Sequence, residues 1–424
     1  MRAILLAAGL CCAPLPVPAQ SGSGSTAGGQ AMATEPAGTS EGLAAWIAAY
    51  RPRALAAGVS PATFDAAMAG LTYDPDVVRR DRRQSEFTKT IWDYLDTAVS
   101  DDRVARGRAA LARHADLLAR IEARHGVEKE VVAAIWGLES AYGTFRGDVP
   151  TLRALATLAH DGRRAAFFEG ELTAALRILD QGHTTPDRMR GSWAGAMGHT
   201  QFMPSSFLAL AVDFDGDGRR DVWGDDPGDA LASAAAYLAH HGWQRGMPWG
   251  MEVMLPPGFD FMHTGERVVR PVADWQSAGV RAVGGGDLPD HGPGSVLLPA
   301  GHRGAAFLIW PNFQVIERYN TADAYVIAIG HLSDRLRGAP PIAAAWPRED
   351  RALTLEERLE LQTRLTAAGH DTKGVDGRIG PNTIAATRAF QAAQGLVPDG
   401  YANPALLERL RAETEFRGNS GAEP

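Results

Sequence analysis

The stretch that decides the fold is Val131-Val132-Ala133-Ala134-Ile135-Trp136-Gly137-Leu138-Glu139-Ser140-Ala141-Tyr142-Gly143. Val132, Ile135 and Trp136 stand seven, four and three positions before Glu139. On a helix of 3.6 residues per turn they share one face with it. Gly143 offers the stop. A carboxylate on an apolar face is costly to ionise, so its pKa is expected to rise, as a general acid working near neutral pH requires. The residues alone leave a second reading open, a salt-bridged glutamate at a helix end.

Outward from this helix, apolar residues recur at threes and fours from about 41 to 250, with breaks at Gly126, Asp161-Gly162 and Thr185-Pro186. From about 251 to 312 short β-like pieces, Val296-Leu297-Leu298 and Ala306-Phe307-Leu308-Ile309-Trp310, alternate with Pro and Gly turns. A helix is expected again over about 321–337. The Pro-rich run Gly338-Ala339-Pro340-Pro341 to Pro347 opens a linker over 338–352. A compact unit follows over 353–412, then a tail over 413–424, expected to lack order from Gly418. A chain of 424 residues exceeds what one core usually serves, so at least two domains are expected. A formal charge of −8 and a pI near 5.9 argue against nucleic-acid binding.

Met1-Arg2 and the apolar run Ala3 to Leu10, ending at Val17-Pro18-Ala19, read as a signal peptide over 1–19. Residues 20–40 are small and polar and read as a flexible leader. Both cysteines, Cys11 and Cys12, fall inside the signal peptide, so the mature chain has no thiol for disulfides, clusters or nucleophilic catalysis. Ala8-Gly9-Leu10 before Cys11 is a poor lipobox, and lipoprotein anchoring is not expected. No later apolar run reaches spanning length. Export to the periplasm is the expectation.

A second segment, Gly191-Ser192-Trp193-Ala194-Gly195-Ala196-Met197-Gly198-His199-Thr200-Gln201-Phe202-Met203-Pro204-Ser205-Ser206, is rich in small residues. Glycines admit close approach to a ligand, and the Ser192 hydroxyl and Gln201 amide are hydrogen-bonding groups suited to a sugar or a carboxyl. Pro204-Ser205-Ser206 reads as the entry of another helix with serine as its cap. By itself the segment is equally readable as a structural loop.

Together, Trp136-Gly137-Leu138-Glu139, Gly191 to Ser206 and Ala211-Val212-Asp213-Phe214-Asp215-Gly216-Asp217-Gly218 resemble the soluble-lytic-transglycosylase motifs of the membrane-bound lytic transglycosylase B family. The resemblance runs from 41 to 337. It implies a mainly α, lysozyme-like catalytic domain with a small β-containing subdomain, acting on peptidoglycan. Glu139 would be the catalytic acid and base, and Ser192 would hold it or the substrate's N-acetyl group. Gln201, Phe202 and Met203 would line the sugar cleft. Arg163 and Arg164, in Asp161-Gly162-Arg163-Arg164, resemble a double-arginine segment that meets stem-peptide carboxylates. Their alternative is a solvated helix face. Tyr237, Tyr319-Asn320 and Tyr325, with Tyr94, resemble aromatic cleft positions, although tyrosines also serve as core residues. Trp193 and His199-Thr200 depart from the family's pattern.

An ordinary glycosidase uses two carboxylates. Glu169 and Glu171 read as a solvated helix face, which leaves Glu139 alone. The family's chemistry accounts for this: the muramoyl C6 hydroxyl attacks C1 intramolecularly, giving a 1,6-anhydromuramic acid end without water. A hydrolytic muramidase on the same fold and a silent wall-binding scaffold are the alternatives.

Asp213, Asp215, Asp217, Gly218, the carbonyl of Arg219 and Asp221 fit positions 1, 3, 5, 6, 7 and 9 of an EF-hand loop. Position 12 is Gly224 rather than Glu. The resemblance supplies Asp229, in Asp226-Pro227-Gly228-Asp229-Ala230, as the later ligand. A structural Ca²⁺ is expected, with an unmetallated acidic turn as the alternative, and no organic cofactor.

In the last unit Leu355, Leu359, Leu361 and Leu365 space a helix. Val375-Asp376-Gly377-Arg378-Ile379-Gly380-Pro381 and Gly395-Leu396-Val397-Pro398-Asp399-Gly400 resemble the common peptidoglycan-binding domain, a three-helix module of about 60 residues. Seven basic and seven acidic residues between 353 and 412 rule out capture by bulk charge. The module would dock the wall polymer near Asp376 to Gly380 and raise local substrate concentration through its tether. Expected partners are glycan strands and stem peptides, with wall-synthesis proteins left unspecified. Gly38-Thr39-Ser40-Glu41-Gly42 matches an esterase pattern by letters only, since no strand-to-helix elbow is expected there.

Overall fold

The structure, a computed structural model, describes residues 38–82 and 89–420, with side chains as far as residue 413. The expected signal peptide, most of the leader and residues 421–424 lie outside the described residues. The chain divides into two compact units: the described residues of Met1–Arg83 with Gly143–Ser233, and those of Gln84–Tyr142 with Ala234–Pro424. The stretch expected as one catalytic domain, 41–337, thus contributes to both.

The first unit contains helices Ser40–Ala56, Pro61–Met68, Pro75–Arg82, Thr151–Asp161, Ala165–Asp180 and Pro204–Leu210. Local chemistry starts the first two: Thr39 and Ser60 accept the backbone N–H of Gly42 and Thr63, and Pro61 occupies the first turn. Thr151–Asp161 and Ala165–Asp180 pack along buried Leu152, Leu155 and Leu158 on one and Phe168, Leu172 and Leu176 on the other. A fully buried aliphatic side chain of this kind contributes about 1.5–3 kcal/mol. The break expected at Asp161-Gly162 is present, and a Cβ on Gly162 would lie 2.2 Å from the Leu158 carbonyl oxygen. A two-stranded ribbon pairs Val149–Pro150 with Arg190–Gly191 and so ends at the Ser192 loop.

In the second unit, Lys129–Ser140 packs against Asp101–Arg113 and Asp323–Arg337, and every residue from Val131 to Ser140 is buried. The glycine in Trp136-Gly137-Leu138-Glu139 has a steric reason. A Cβ there would lie 2.6 Å from the Tyr142 hydroxyl oxygen, and one on Gly107 would lie 2.3 Å from it. The β-like stretch becomes an antiparallel sheet in the order Arg281–Ala282, Gly250–Met254, Ala306–Ile309, Ser295–Leu297. Val253, Trp275, Val296, Leu308 and Trp310 form its core. Helices Leu355–Ala367, Pro381–Ala393 and Pro404–Ser420 enclose Leu361, Leu365, Phe390, Leu407 and Leu410. Thr354 and Glu357 close a reciprocal cap on the first of these. The last helix passes the boundary expected at 412 and runs through Gly418, where order was not expected. Among the described residues no helix is long and apolar enough to cross a membrane.

Candidate active site

Glu139 lies in the last turn of Lys129–Ser140 with 7% of its surface exposed. The stop expected at Gly143 begins earlier. Ala141 and Tyr142 already hold φ of 50° and 60°, and their N–H groups return to the carbonyls of Gly137 and Trp136. Left-handed residues other than glycine cost on the order of 1 kcal/mol or more, so packing around Tyr142 holds this turn. Its hydroxyl donates to the Arg103 carbonyl at 3.0 Å.

Burial raises the Glu139 pKa from 4.5 to about 7, and the one opposing influence is a hydrogen bond from Tyr325. The carbonyl end of a helix also disfavours negative charge. The Tyr325 hydroxyl donates to Glu139 Oε1 at 2.6 Å. Burial and the negative charge of Glu139 push the Tyr325 pKa far up, so the phenol stays a donor. Among the described residues no cation pairs with Glu139 and no second carboxylate perturbs its ionisation. The salt-bridge reading is therefore excluded, and a carboxyl half protonated near pH 7 stands against a fixed donor.

The aromatic positions gather in the same unit. Tyr319 and Tyr94 lie within electrostatic reach of Tyr325. The Tyr237 hydroxyl donates to the Arg318 carbonyl at 2.5 Å, and its ring meets Tyr319 edge-on at 5.0 Å. Asn320 is buried and uses its side-chain carbonyl on the Ala322 N–H at 3.0 Å, so it shapes its own loop. Flanking that loop, Glu317 and Asp323 join Glu266, all three carboxylates lying within 4.8 Å of one another. Burial and mutual repulsion raise Glu317 to about 7 and Asp323 to about 8. This cluster was not anticipated, because Glu266 is remote in sequence.

The remaining positions belong to the first unit. Ser192 is 8% exposed, and its Oγ accepts the N–H of Ala194 and Ala196 at 3.3 and 3.1 Å, leaving its proton to donate. A Cβ on Gly191 would lie 2.0 Å from the Ala196 carbonyl oxygen, so the motif's first glycine is required by this turn. Gln201 holds φ of 52° and its amide N–H₂ donates to the carbonyls of Arg146 and Gly198 at 3.0 and 2.8 Å. Its Oε1 takes part in neither bond. Phe202 and Met203 are buried at 3% and 7% exposure. Arg163 is exposed and reaches Asp81, while Arg164 lies 4.1 Å over the Phe167 ring.

Two expectations for this unit are corrected. Glu171 is not on a solvated face: it is 5% exposed and accepts Ser205 N and Oγ at 2.9 and 2.6 Å. It caps Pro204–Leu210 from a neighbouring helix, so Ser205 is the capped residue rather than the cap, and the Ncap position is Met203. Glu169 is half-buried and pairs with Arg53 at 2.8 Å. The departure at His199 has a structural account. Its Nε2 lies 2.8 Å from the Gly224 carbonyl, which Arg146 also binds, together with the Trp223 carbonyl and Asp225. Arg146 carried no sequence signal, since it acts through backbone carbonyls far along the chain.

In the acidic loop Asp213, Asp215 and Asp217 bring their carboxylates within 4.8 Å of one another. Asp213 accepts the N–H of Gly216 and Gly218 at 2.7 and 2.9 Å. Asp229 is buried and accepts Phe214 N and Asp221 N, both at 2.8 Å, tying the two ends of the loop to the helix that follows. Asp221 turns to Arg188 at 3.1 Å. Clustered hard oxygens with lone pairs left over fit a Ca²⁺ ion.

The transglycosylase SLT domain model matches residues 42–334 and the peptidoglycan binding domain model matches 354–410. Membrane-bound lytic murein transglycosylase B of Escherichia coli K12 is 35% identical over 248 residues, 56% of this chain and 65% of that protein. The match therefore spans just under two thirds of that relative's length. SltB3 from Pseudomonas aeruginosa, solved in complex with NAG-anhNAM-pentapeptide, is 50% identical over 87% of this chain and 99% of its own, with a TM-score of 0.85. The Escherichia coli lytic transglycosylase Slt35, solved in complex with calcium, is 29% identical over 70% of this chain and 92% of its own, with a TM-score of 0.59. With a family match across more than half of its length, the chain belongs to the lytic murein transglycosylases, enzymes that act on peptidoglycan.

Proposed function

We propose that this chain cleaves the MurNAc-β-1,4-GlcNAc bond of peptidoglycan without water, leaving 1,6-anhydroMurNAc ends. The observation that carries the reading is Glu139: buried, with a pKa near 7, held by Tyr325 and perturbed by no second carboxylate among the described residues. As an acid, Glu139 protonates the glycosidic oxygen. As the resulting carboxylate, it takes the proton of the muramoyl C6 hydroxyl, which attacks C1. One group serves both steps because the nucleophile is part of the substrate. The anhydro fragment bound by SltB3 supports the same product here.

Ser192 orients the substrate's N-acetyl group or Glu139, and Gln201, Phe202 and Met203 line the sugar site. Arg163 and Arg164 meet stem-peptide carboxylates, while Tyr94, Tyr237, Tyr319 and Tyr325 form the aromatic wall of the sugar site and Asn320 holds the loop between Tyr319 and Tyr325. Residues 41–337 are the transglycosylase domain, 338–352 the linker and 353–412 the binding module, in a periplasmic protein exported by residues 1–19. Asp213, Asp215, Asp217, the Arg219 carbonyl and Asp229 hold a structural Ca²⁺, as the calcium complex of Slt35 supports. The ion stiffens the loop and takes no part in bond cleavage.

The test is digestion of purified peptidoglycan, with mass spectrometry before and after borohydride reduction. Non-reducible anhydromuramoyl ends, absent with Glu139→Gln, are expected. Reducible muramic ends would make the protein a hydrolytic muramidase, and no products with binding retained would make it a scaffold.

A further inference from the structure

A module on a slack tether raises local substrate concentration and has no fixed register with the catalytic centre. The C-terminal module here is held differently. Asp399, in the turn between its second and third helices, is 5% exposed, and its carboxylate accepts four hydrogen bonds. Two come from the module, Gln391 Nε2 at 2.8 Å and Tyr401 N at 2.9 Å. Two come from the short helical turn Gly301–Arg303 that leads into the sheet, His302 N at 2.9 Å and His302 Nδ1 at 2.6 Å. A Cβ on Gly301 would lie 2.4 Å from Asp399 Oδ2, so glycine there permits the approach.

Further bonds add direction. Arg388, on Pro381–Ala393, donates to the carbonyl and the Oγ1 of Thr264, both at 2.7 Å. Arg303 reaches Asp350 at 2.5 Å, and Asn403 reaches the same carboxylate at 3.1 Å. The linker is fastened too: the N–H groups of Ala343 and Ala344 donate to Glu252 on the sheet at 2.8 and 2.6 Å. Arg348 grips Asp96 through both guanidinium nitrogens at 2.8 and 3.0 Å. A buried carboxylate satisfied from both sides, with directional bonds at several separate points, fixes orientation as well as proximity.

We propose that His302, Asp399, Arg388 and Thr264 form a latch that holds the binding module in one register with Glu139 and thereby sets where along a glycan strand the enzyme cuts. The proposal rests on the transglycosylase reading above. It makes the module a specificity element rather than a concentrator, because a wall segment seated at Asp376 to Gly380 then stands at a constant distance from the catalytic carboxyl.

The test is His302→Ala/Arg388→Ala in the full chain, both residues lying outside the catalytic machinery. Small-angle scattering is expected to show a larger radius of gyration than wild type. Turnover of an uncross-linked tetrasaccharide muropeptide should stay within twofold, whereas the distribution of anhydro product lengths from long strands should broaden. A second variant, Glu252→Ala, frees only the linker's attachment at Ala343 and Ala344 and should leave the product lengths as in wild type, because the latch still holds. An unchanged radius, or a larger radius with unchanged product lengths, would overturn the latch while leaving the reaction standing. Loss of tetrasaccharide turnover with anhydro products still formed would also overturn it. Absence of anhydro products from the wild-type chain would instead overturn the transglycosylase reading and the latch with it.

Discussion

Replacing the proposed catalytic acid should stabilise the protein, by an amount that pH controls. In Glu139→Gln the amide keeps the shape and still accepts the Tyr325 hydrogen bond, but it never ionises. Wild-type Glu139 titrates near 4.5 unfolded and about 7 folded. A carboxyl whose folded pKa is raised carries no penalty below its unfolded pKa, accumulates one as pH rises between the two, and carries it in full above the folded value. Linkage makes the full term about 3 kcal/mol at pH 8 and less than about 1 kcal/mol at pH 5. Chemical denaturation followed by the fluorescence of the chain's ten tryptophans measures the difference at each pH. Glu139→Gln should unfold at distinctly higher denaturant at pH 8, and the two chains should nearly coincide at pH 5. Equal stabilities at pH 8, or a gain independent of pH, would refute the claim that Glu139 is held in a desolvated site.

Other perturbations act on separate parts. Tyr325→Phe removes the group that holds the Glu139 pKa down, so the alkaline limb of the pH–rate profile should move up from about 7. Lost positioning should also lower kcat by roughly tenfold to a hundredfold; an unmoved limb would count against the hydrogen bond. Glu171→Ala strands the Ser205 N–H and hydroxyl and should cost about 2 kcal/mol in thermal melting, an outcome a solvated Glu171 would not give. Chelation should lower the melting temperature of wild type and leave Asp213→Asn unmoved, since a site held a hundredfold above its Kd adds about 2.7 kcal/mol. Glu317 and Asp323, raised to about 7 and 8, predict that stability falls as pH climbs from 5 to 9 and that Asp323→Asn flattens the fall.

Local patterns in the sequence were enough for the acid helix, its apolar face, the glycine-rich loop, the acidic turn and the helical module, because each rests on spacing within a dozen residues. The raised pKa of Glu139 was legible for the same reason, since the desolvating side chains lie one and two turns before it. Its donor was legible only as an aromatic motif: Tyr325 stands 186 positions away, and only packing of Asp323–Arg337 on Lys129–Ser140 brings its hydroxyl to 2.6 Å. Glu171 was misread because a glutamate beside solvated neighbours carries no mark of the distant Ser205 that buries it. Arg146 and the carboxylates of Glu266, Glu317 and Asp323 were missed because they act across elements remote in the chain. The tether became a fastened strap for a like reason, its donors meeting Glu252 and Asp96 only after folding. Periodicity and turn chemistry are short-range and are written in order along the chain. Burial of a charge and the choice of its partner are long-range, and only the tertiary structure decides them.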